Sequence, residues 1–316
     1  MVTQWGRTTV RLGATQEAAE AAAIRSSRGF KRSFIVDPTD GYDGAGGVGS
    51  IRNPLATVAR AVVLATEGDQ IVFRGKVQEE VVIPNRLGGL TIIGAEGRPR
   101  HGDAPFYAGN LWKIPAAGET GTTALVTVRA QGVSFENILF DAPSDAACIE
   151  IERNALSGTS EFDGSHMAVD GCRFVGGQSG IEVDGGAFNV LVRNSVFQSL
   201  TNGIKILNTG VSVPLQWLIE NNEFMGNTND ILGPFTDSTI KENRFHTAGS
   251  GSTNKVVDTS DGSSQGARNF VIGNWFHNPS TEIKNNNGYR GTSTDHWANH
   301  SEDTAALIVE SPPGAS

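Results

Sequence analysis

Cysteine is scarce: the 316-residue chain has two, Cys148 and Cys172. A lone pair makes no disulfide framework, and neither residue sits at a metal-type spacing. Both lie in apolar, strand-like runs and read as buried free thiols. No run of 18 apolar residues occurs, so no membrane-spanning helix is expected. The first residues, "MVTQWGRTTVRLG", lack the apolar stretch of a secretory signal. Positive charge is also short, with Lys plus Arg at 25 against Asp plus Glu at 34, a net charge of −9. Phosphate-backbone binding needs clustered cations, so nucleic acid is not an expected partner. The densest basic stretch, Arg25 to Arg32, has four basic residues and reads as a solvated junction.

Catalytic and metal-binding patterns are equally sparse. No Ser-His-Asp arrangement or phosphate loop is readable. His296 and His300 stand four apart, but no Glu follows the first and no third ligand is evident. A surface or end-cap role is the expectation for them. His166, His246 and His277 have no identifiable partners in the sequence. "DPTDGYD" (37–43) gathers Asp37, Asp40 and Asp43, the weak metal candidates, yet its spacing is not that of a twelve-residue calcium loop. It reads as a turn, and no cofactor is expected.

What the chain does have is turn formers, with 39 Gly and 12 Pro, and an internal repeat. Six segments share one shape: "VSFENILF", "MAVDGCRF", "VLVRNSVF", "WLIENNEF", "STIKENRF" and "NFVIGNWF". They end at Phe140, Phe174, Phe197, Phe224, Phe245 and Phe276, in steps of 34, 23, 27, 21 and 31 residues. A second apolar pair follows each: Ile149/Ile151, Ile181/Val183, Ile204/Ile206, Ile231/Leu232, Val256/Val257, and Ile283 alone. Each copy reads as a short alternating strand, a polar corner, Phe, a turn and a second strand. Such strands cannot bury a face alone, but stacked coils with parallel pairing can. A coil this long suits an all-β, right-handed parallel β-helix.

The corners support the stack. Asn222, Asn243 and Asn274 lie two positions before Phe; Asn137, Asn194 and Asn221 lie three before. Asn tolerates left-handed backbone, and stacked amides can bond from coil to coil. Open ends need covers. Residues 54–65 form a helix candidate, with Asn53 as cap, Pro54 in the first turn and Gly68 beyond the end; it would cap the stack. Residues 14–27, "ATQEAAEAAAIRSS", form a second, Ala-rich helix candidate with Thr15 as a possible cap. It is either a local brace or a docking element.

The segment from "SFIVDPTDGYDG" to "QEEVVIP" resembles the start of pectin-lyase-like right-handed β-helix proteins. The matching positions are Asp37, Gly41, Asp43, Pro54, Thr57, Ala61, Gly68, Asp69, Gly75 and Glu79. The resemblance implies an N-terminal arm (1–32), a β-helix (33–288) and a C-terminal cap or tail (289–316). The tail, with Asp295 and Trp297 as an Asp-x-Trp segment, resembles the ends of β-helix virion proteins of tailed phages. The resemblance implies fold more than activity. Hydrolases of this fold carry an Asn-Thr-Asp strand, an Asp-Asp pair, a Gly-His-Gly and an Arg-Ile-Lys, and the sequence has none of them. "NTND" (227–230) comes nearest, no Trp-Ile-Asp-His segment of the pectate-lyase type occurs, and the Arg-Pro at Arg98-Pro99 is not expected to be of that type. Asp184, Asp258 and Asp230 remain as weak catalytic candidates, expected as outward corner carboxylates.

Two expectations follow. One is a non-catalytic structural protein, a phage virion component such as a capsid-decorating, fibre or spike protein. It would assemble with itself, a trimer being favoured, or with other virion proteins, and would contact surface glycan at most. The other is a carbohydrate-active β-helix, lyase or hydrolase, or a glycan-binding protein, with a site completed between subunits.

Overall fold

Strands of three to six residues with one apolar side have no stable solitary form, and in this chain they stack. The computed structural model describes residues 30–95, 110–113, 124–152, 164–184, 186–207, 214–246, 256–259, 267–277, 289–291, 294–301 and 307–308. The 14–27 helix candidate and Ile283 lie outside the described residues. The chain forms a right-handed parallel β-helix.

Each coil visits three faces in turn. The first face is a parallel ladder from Ser33–Val36 through Gln70–Phe73, Thr91–Gly94 and Ser134–Glu136 to the start of Phe270–His277. The second begins at Gly75–Gln78 and Asn110–Lys113 and runs to the end of Phe270–His277. The third runs from Val81–Ile83 through Ala147–Ile151, Ser179–Asp184 and Asn202–Leu207 to Tyr289–Arg290. Right-handed coiling is what a strand-to-parallel-strand crossover favours.

The aromatic column stacks inside the second face. Phe140, Phe174, Phe197, Phe224, Phe245 and Phe276 are in register, with ring centroids 4.6 to 5.2 Å apart. Trp112 extends the column below Phe140 at 5.8 Å. The Asn column is buried at the corner between the first and second faces. Each amide nitrogen donates to the next coil's amide oxygen: Asn222 to Asn243 at 3.0 Å, Asn243 to Asn274 at 2.9 Å, Asn274 to Asn299 at 2.8 Å. Each oxygen also accepts a backbone N–H from the coil before, which satisfies the corner peptide groups. Asn137, Asn194 and Asn221 have φ of 57°, 53° and 53°, the left-handed conformation expected of them.

Two boundaries differ from the sequence reading. Helix α1 spans Val58–Leu64, and its N-cap is Thr57, whose hydroxyl accepts the Arg60 N–H. The expected start at Pro54 fails because Leu55 is held in a parallel bridge to Val36 and Asn53 belongs to a turn with Ser50. The helix buries Val58, Ala61 and Val62 against the first strands, in the capping position. The parallel ladder also runs past residue 288: His296–Ser301 pairs with Phe270–His277, and Leu307–Ile308 then pairs antiparallel with its end. "Trp-Ala-Asn-His-Ser" repeats the motif with Ser301 in the Phe position, so it went unread.

Candidate functional site

The pairs that point inward on the third face determine what points outward between them. Ile149/Ile151, Ile181/Val183 and Ile204/Ile206 are buried. The residues between, Glu150, Glu182 and Lys205, are therefore presented outward in register. Glu152 and Asp184 follow one step beyond the second inward residue. The result is a strip of four carboxylates with a cation at either end. Arg129 pairs with Glu152 at 2.6 Å, Lys205 approaches Glu182 to 4.0 Å, and Ser179 Oγ donates to Glu182 at 2.7 Å.

Burial, then the neighbouring Glu152, Glu182 and Asp184, pushes the Glu150 carboxyl above its ordinary range, and a hydrogen bond with Thr127 opposes the rise. A carboxyl biased toward the neutral form among other carboxyls is raw material for acid–base chemistry.

The sequence candidates separate. Asp184 lies on this strip, half-buried. Asp258 and Asp230 do not stand as solvated corner carboxylates: they are 1% and 3% exposed. Asp230 fills the bend between the second and third faces, where strict alternation lapses. Earlier coils put Gly180 and Gly203 there; a Cβ on Gly203 would meet the Asp230 carbonyl oxygen. Asn227 Nδ2 donates to Asp230 Oδ1 at 2.9 Å. Burial nevertheless drives the Asp230 carboxyl up to about 8. Its ordinary value is 3.8, so its protonated form favours folding below that pH, and this contribution is lost as pH rises through about 8. Asp230→Asn is therefore expected to gain melting temperature relative to wild type as pH goes from 4 to 9. A gap that stays constant across that range would show Asp230 ionised throughout.

The turn acids are structural. Asp37 accepts from Arg74 Nε at 2.6 Å and from the Thr39 N–H at 3.0 Å. Asp43 holds the Ala56 and Thr57 N–H groups and the Thr57 hydroxyl, at 2.7, 3.2 and 2.6 Å. Asp40 is exposed. Glu79 accepts the first helical N–H groups, Val58 at 2.7 Å and Ala59 at 2.8 Å, as suits an acid at a helix N-terminus. Asp69 binds Arg32 at 2.7 Å. The motif shared with pectin-lyase-like proteins thus builds the cap. Among the described residues, no three His, Cys, Asp or Glu side chains gather as a metal site.

The histidines stay apart as well. His246 pairs with Glu223 at 2.9 Å, His166 packs edge-on to Phe188, and His296 stacks on Phe270. The side chains of His277 and His300 lie outside the described residues. Cys148 and Cys172 are buried and free, and burial pushes the Cys172 thiol up to about 12, the form of an inert thiol.

Sequence reading missed Glu150 and Glu182, although a signal was present: each stands between two inward apolar residues. Neither a protein-family model nor a curated protein matches the chain. Solved structures do. Escherichia coli YbhC matches at 11% identity and a TM-score of 0.51, over 87% of this chain and 77% of that one. Pectate lyase Pel9A matches at 12% and 0.45, over 86% and 74%. The rice weevil pectin methyl esterase matches at 13% and 0.44, over 84% and 82%. At these identities the likeness is one of fold, the pectin-lyase-like parallel β-helix. Among the described residues, no helix is long and apolar enough to cross a membrane.

Proposed function

We propose that this protein is a non-catalytic structural β-helix, a component of an assembled particle of the phage-virion kind, working with copies of itself or with other particle proteins. The observation that carries this reading is where the candidate acids are used. Asp37 and Asp43 tie the cap, Asp230 is buried with Asn227, and the outward Glu152 and Glu182 have Arg129 and Lys205 as cross-coil neighbours. Charges arranged this way join neighbouring coils, as suits a rod that bears load. The test is incubation with pectate and alginate, with and without Ca²⁺, beside copurification with assembled particles. No release of unsaturated or reducing ends, together with particle association, is the expected result.

The Glu150 strip favours a second reading, a carbohydrate-active β-helix. Glu150, whose carboxyl is biased toward the protonated form, would serve as the acid, and Asp184 on the same strip as the base of glycosidic cleavage. Sustained product release that Glu150→Gln or Asp184→Asn abolishes would replace the structural reading with this one.

A further inference from the structure

The outer side of the first face carries two columns of different chemistry. Val169, Val192, Ile219 and Ile240 are the middle residues of the strands Ala168–Asp170, Leu191–Arg193, Leu218–Glu220 and Thr239–Lys241, and all four are buried in the core. Alternation therefore turns the residues on either side of them outward. The parallel register then sorts these by kind. Ala168, Leu191, Leu218 and Thr239 form one column, and Asp170, Arg193, Glu220 and Lys241 form the other. All eight are partly exposed. Along the charged column Arg193 binds Asp170 at 2.8 Å and Lys241 binds Glu220 at 3.1 Å. Adjacent leucines beside such a row can select a partner, because burial rewards the leucines and the ions fix the register.

We propose that a second copy of this chain lies on this surface, antiparallel, about a two-fold axis that runs along the strand direction between Leu191–Arg193 and Leu218–Glu220. Such an axis reverses the order of the coils but keeps each side chain's position along its strand. The leucine column then meets the leucine column, and the charged column meets the charged column. Leu191 packs on the partner's Leu218. Arg193 faces the partner's Glu220, and Asp170 faces the partner's Lys241. Symmetry repeats each contact, so every facing pair in the charged column is of opposite sign. Moving the partner by one coil loses this match. One direction sets Arg193 against the partner's Arg193 and Asp170 against the partner's Glu220. The other sets Arg193 against the partner's Lys241 and Glu220 against the partner's Glu220. A two-fold axis along the stack fails differently: it reverses position along the strand and lays the leucines over the ions. The matched contact spans four coils, about 19 Å at ~4.8 Å per strand. That is small for a protein interface, so the dimer is expected to be weak and concentration-dependent. The pairing is two-fold, in place of the trimer that the sequence reading favoured. It leaves the second and third faces outside the contact, so it does not rest on the structural reading.

Sedimentation of the full chain over a concentration series tests the pairing. Wild type is expected to form a dimer that loosens as salt screens the facing charges. Asp170→Lys and Lys241→Glu each set like charges face to face at two symmetric places, and each should raise the dimer dissociation constant about tenfold or more. Each also breaks an ion pair within its own chain or sets like charges beside each other there, so the decisive sample is an equimolar mixture of the two variants. In the mixture every altered position again faces an opposite charge across the axis, while the contacts within each chain stay disrupted. A dimer with one copy of each variant, identified by native mass, is the expected result. A second readout is independent of charge: a bis-maleimide added to mixed Leu191→Cys and Leu218→Cys chains should join one copy of each, since Cys148 and Cys172 are buried. A wild type that stays monomeric up to about 1 mM would overturn the proposal. So would a trimer, a charge-swapped mixture no more associated than its components, or the absence of the maleimide bridge.

Discussion

Asn243→Leu is expected to lower the unfolding free energy by about 3–9 kcal/mol, from two stranded donors and one stranded acceptor at roughly 1–3 kcal/mol each. Asn243 Oδ1 accepts from both the backbone N–H and the side-chain nitrogen of Asn222, at 2.9 and 3.0 Å. Its own nitrogen donates to the Ile219 carbonyl and to Asn274 Oδ1, both at 2.9 Å. Leucine has the same branching and number of side-chain heavy atoms and none of these groups. The site is 0% exposed, so water cannot substitute. Asn53→Leu is the control: Asn53 is exposed and only its backbone is engaged in the turn with Ser50. Its cost should stay within about 0.5 kcal/mol, as for an ordinary surface change. Equal denaturation midpoints for the two variants would rule out a ladder that contributes to stability.

The ladder has a direction, and this explains its ends. Every amide donates toward the C-terminal coil, so the last rung needs only to accept from the coil before. Asn299 occupies that place and sends its own nitrogen to the Val271 carbonyl at 3.0 Å. At the corner between the third and first faces, a second column ends on an acid. Asn269 donates its backbone N–H and its side-chain nitrogen to Asp295 Oδ1, at 2.8 and 3.1 Å. A carboxylate, which only accepts when ionised, fits a final rung and no interior one. In the other direction the first column becomes Ser195 and then Cys172, whose side chains also bond to neighbouring backbone.

These columns also show what was legible in advance. Phe and Asn recur at fixed offsets because stacking and amide pairing each need one residue type in register, so sequence spacing carried both. Trp112 escaped because an indole replaces the phenyl ring, and Asn299 because Ser301 replaces Phe as its marker. The acids were harder. Alternation predicts direction along a straight strand, but at a corner the backbone turns and the next side chain can turn inward with it, as Asp230 does. Asp258 is outward by register with Leu232 yet shielded, and alternation says nothing about what covers a strand. The helix start misled for a similar reason: local capping signals at Asn53 and Pro54 lost to the bridge at Leu55 and to Asp43 and Glu79.

The aromatic column supplies the other large effect. Phe224→Ala is expected to cost about 3–5 kcal/mol, the range for truncating a buried Phe. The ring is 0% exposed and lies between Phe197 at 4.8 Å and Phe245 at 5.0 Å, nearly parallel to both. Collapse around the gap is restricted. Gly203 faces the ring, and a Cβ placed there would lie 2.9 Å from it and 2.5 Å from the Asp230 carbonyl oxygen, so that wall is already at closest approach. The two flanking rings are fixed by their own parallel ladders and cannot close over the lost volume without shearing the second face. Because coils are stabilised mainly by their neighbours, the break should also uncouple the two halves of the stack. Chemical denaturation of Phe224→Ala should then become less cooperative, with a shallower slope. Phe270→Ala, on the outer side of the first face, should leave both midpoint and slope almost unchanged. A loss below about 1 kcal/mol for Phe224→Ala would contradict the core-Phe range and place the ring outside the stack.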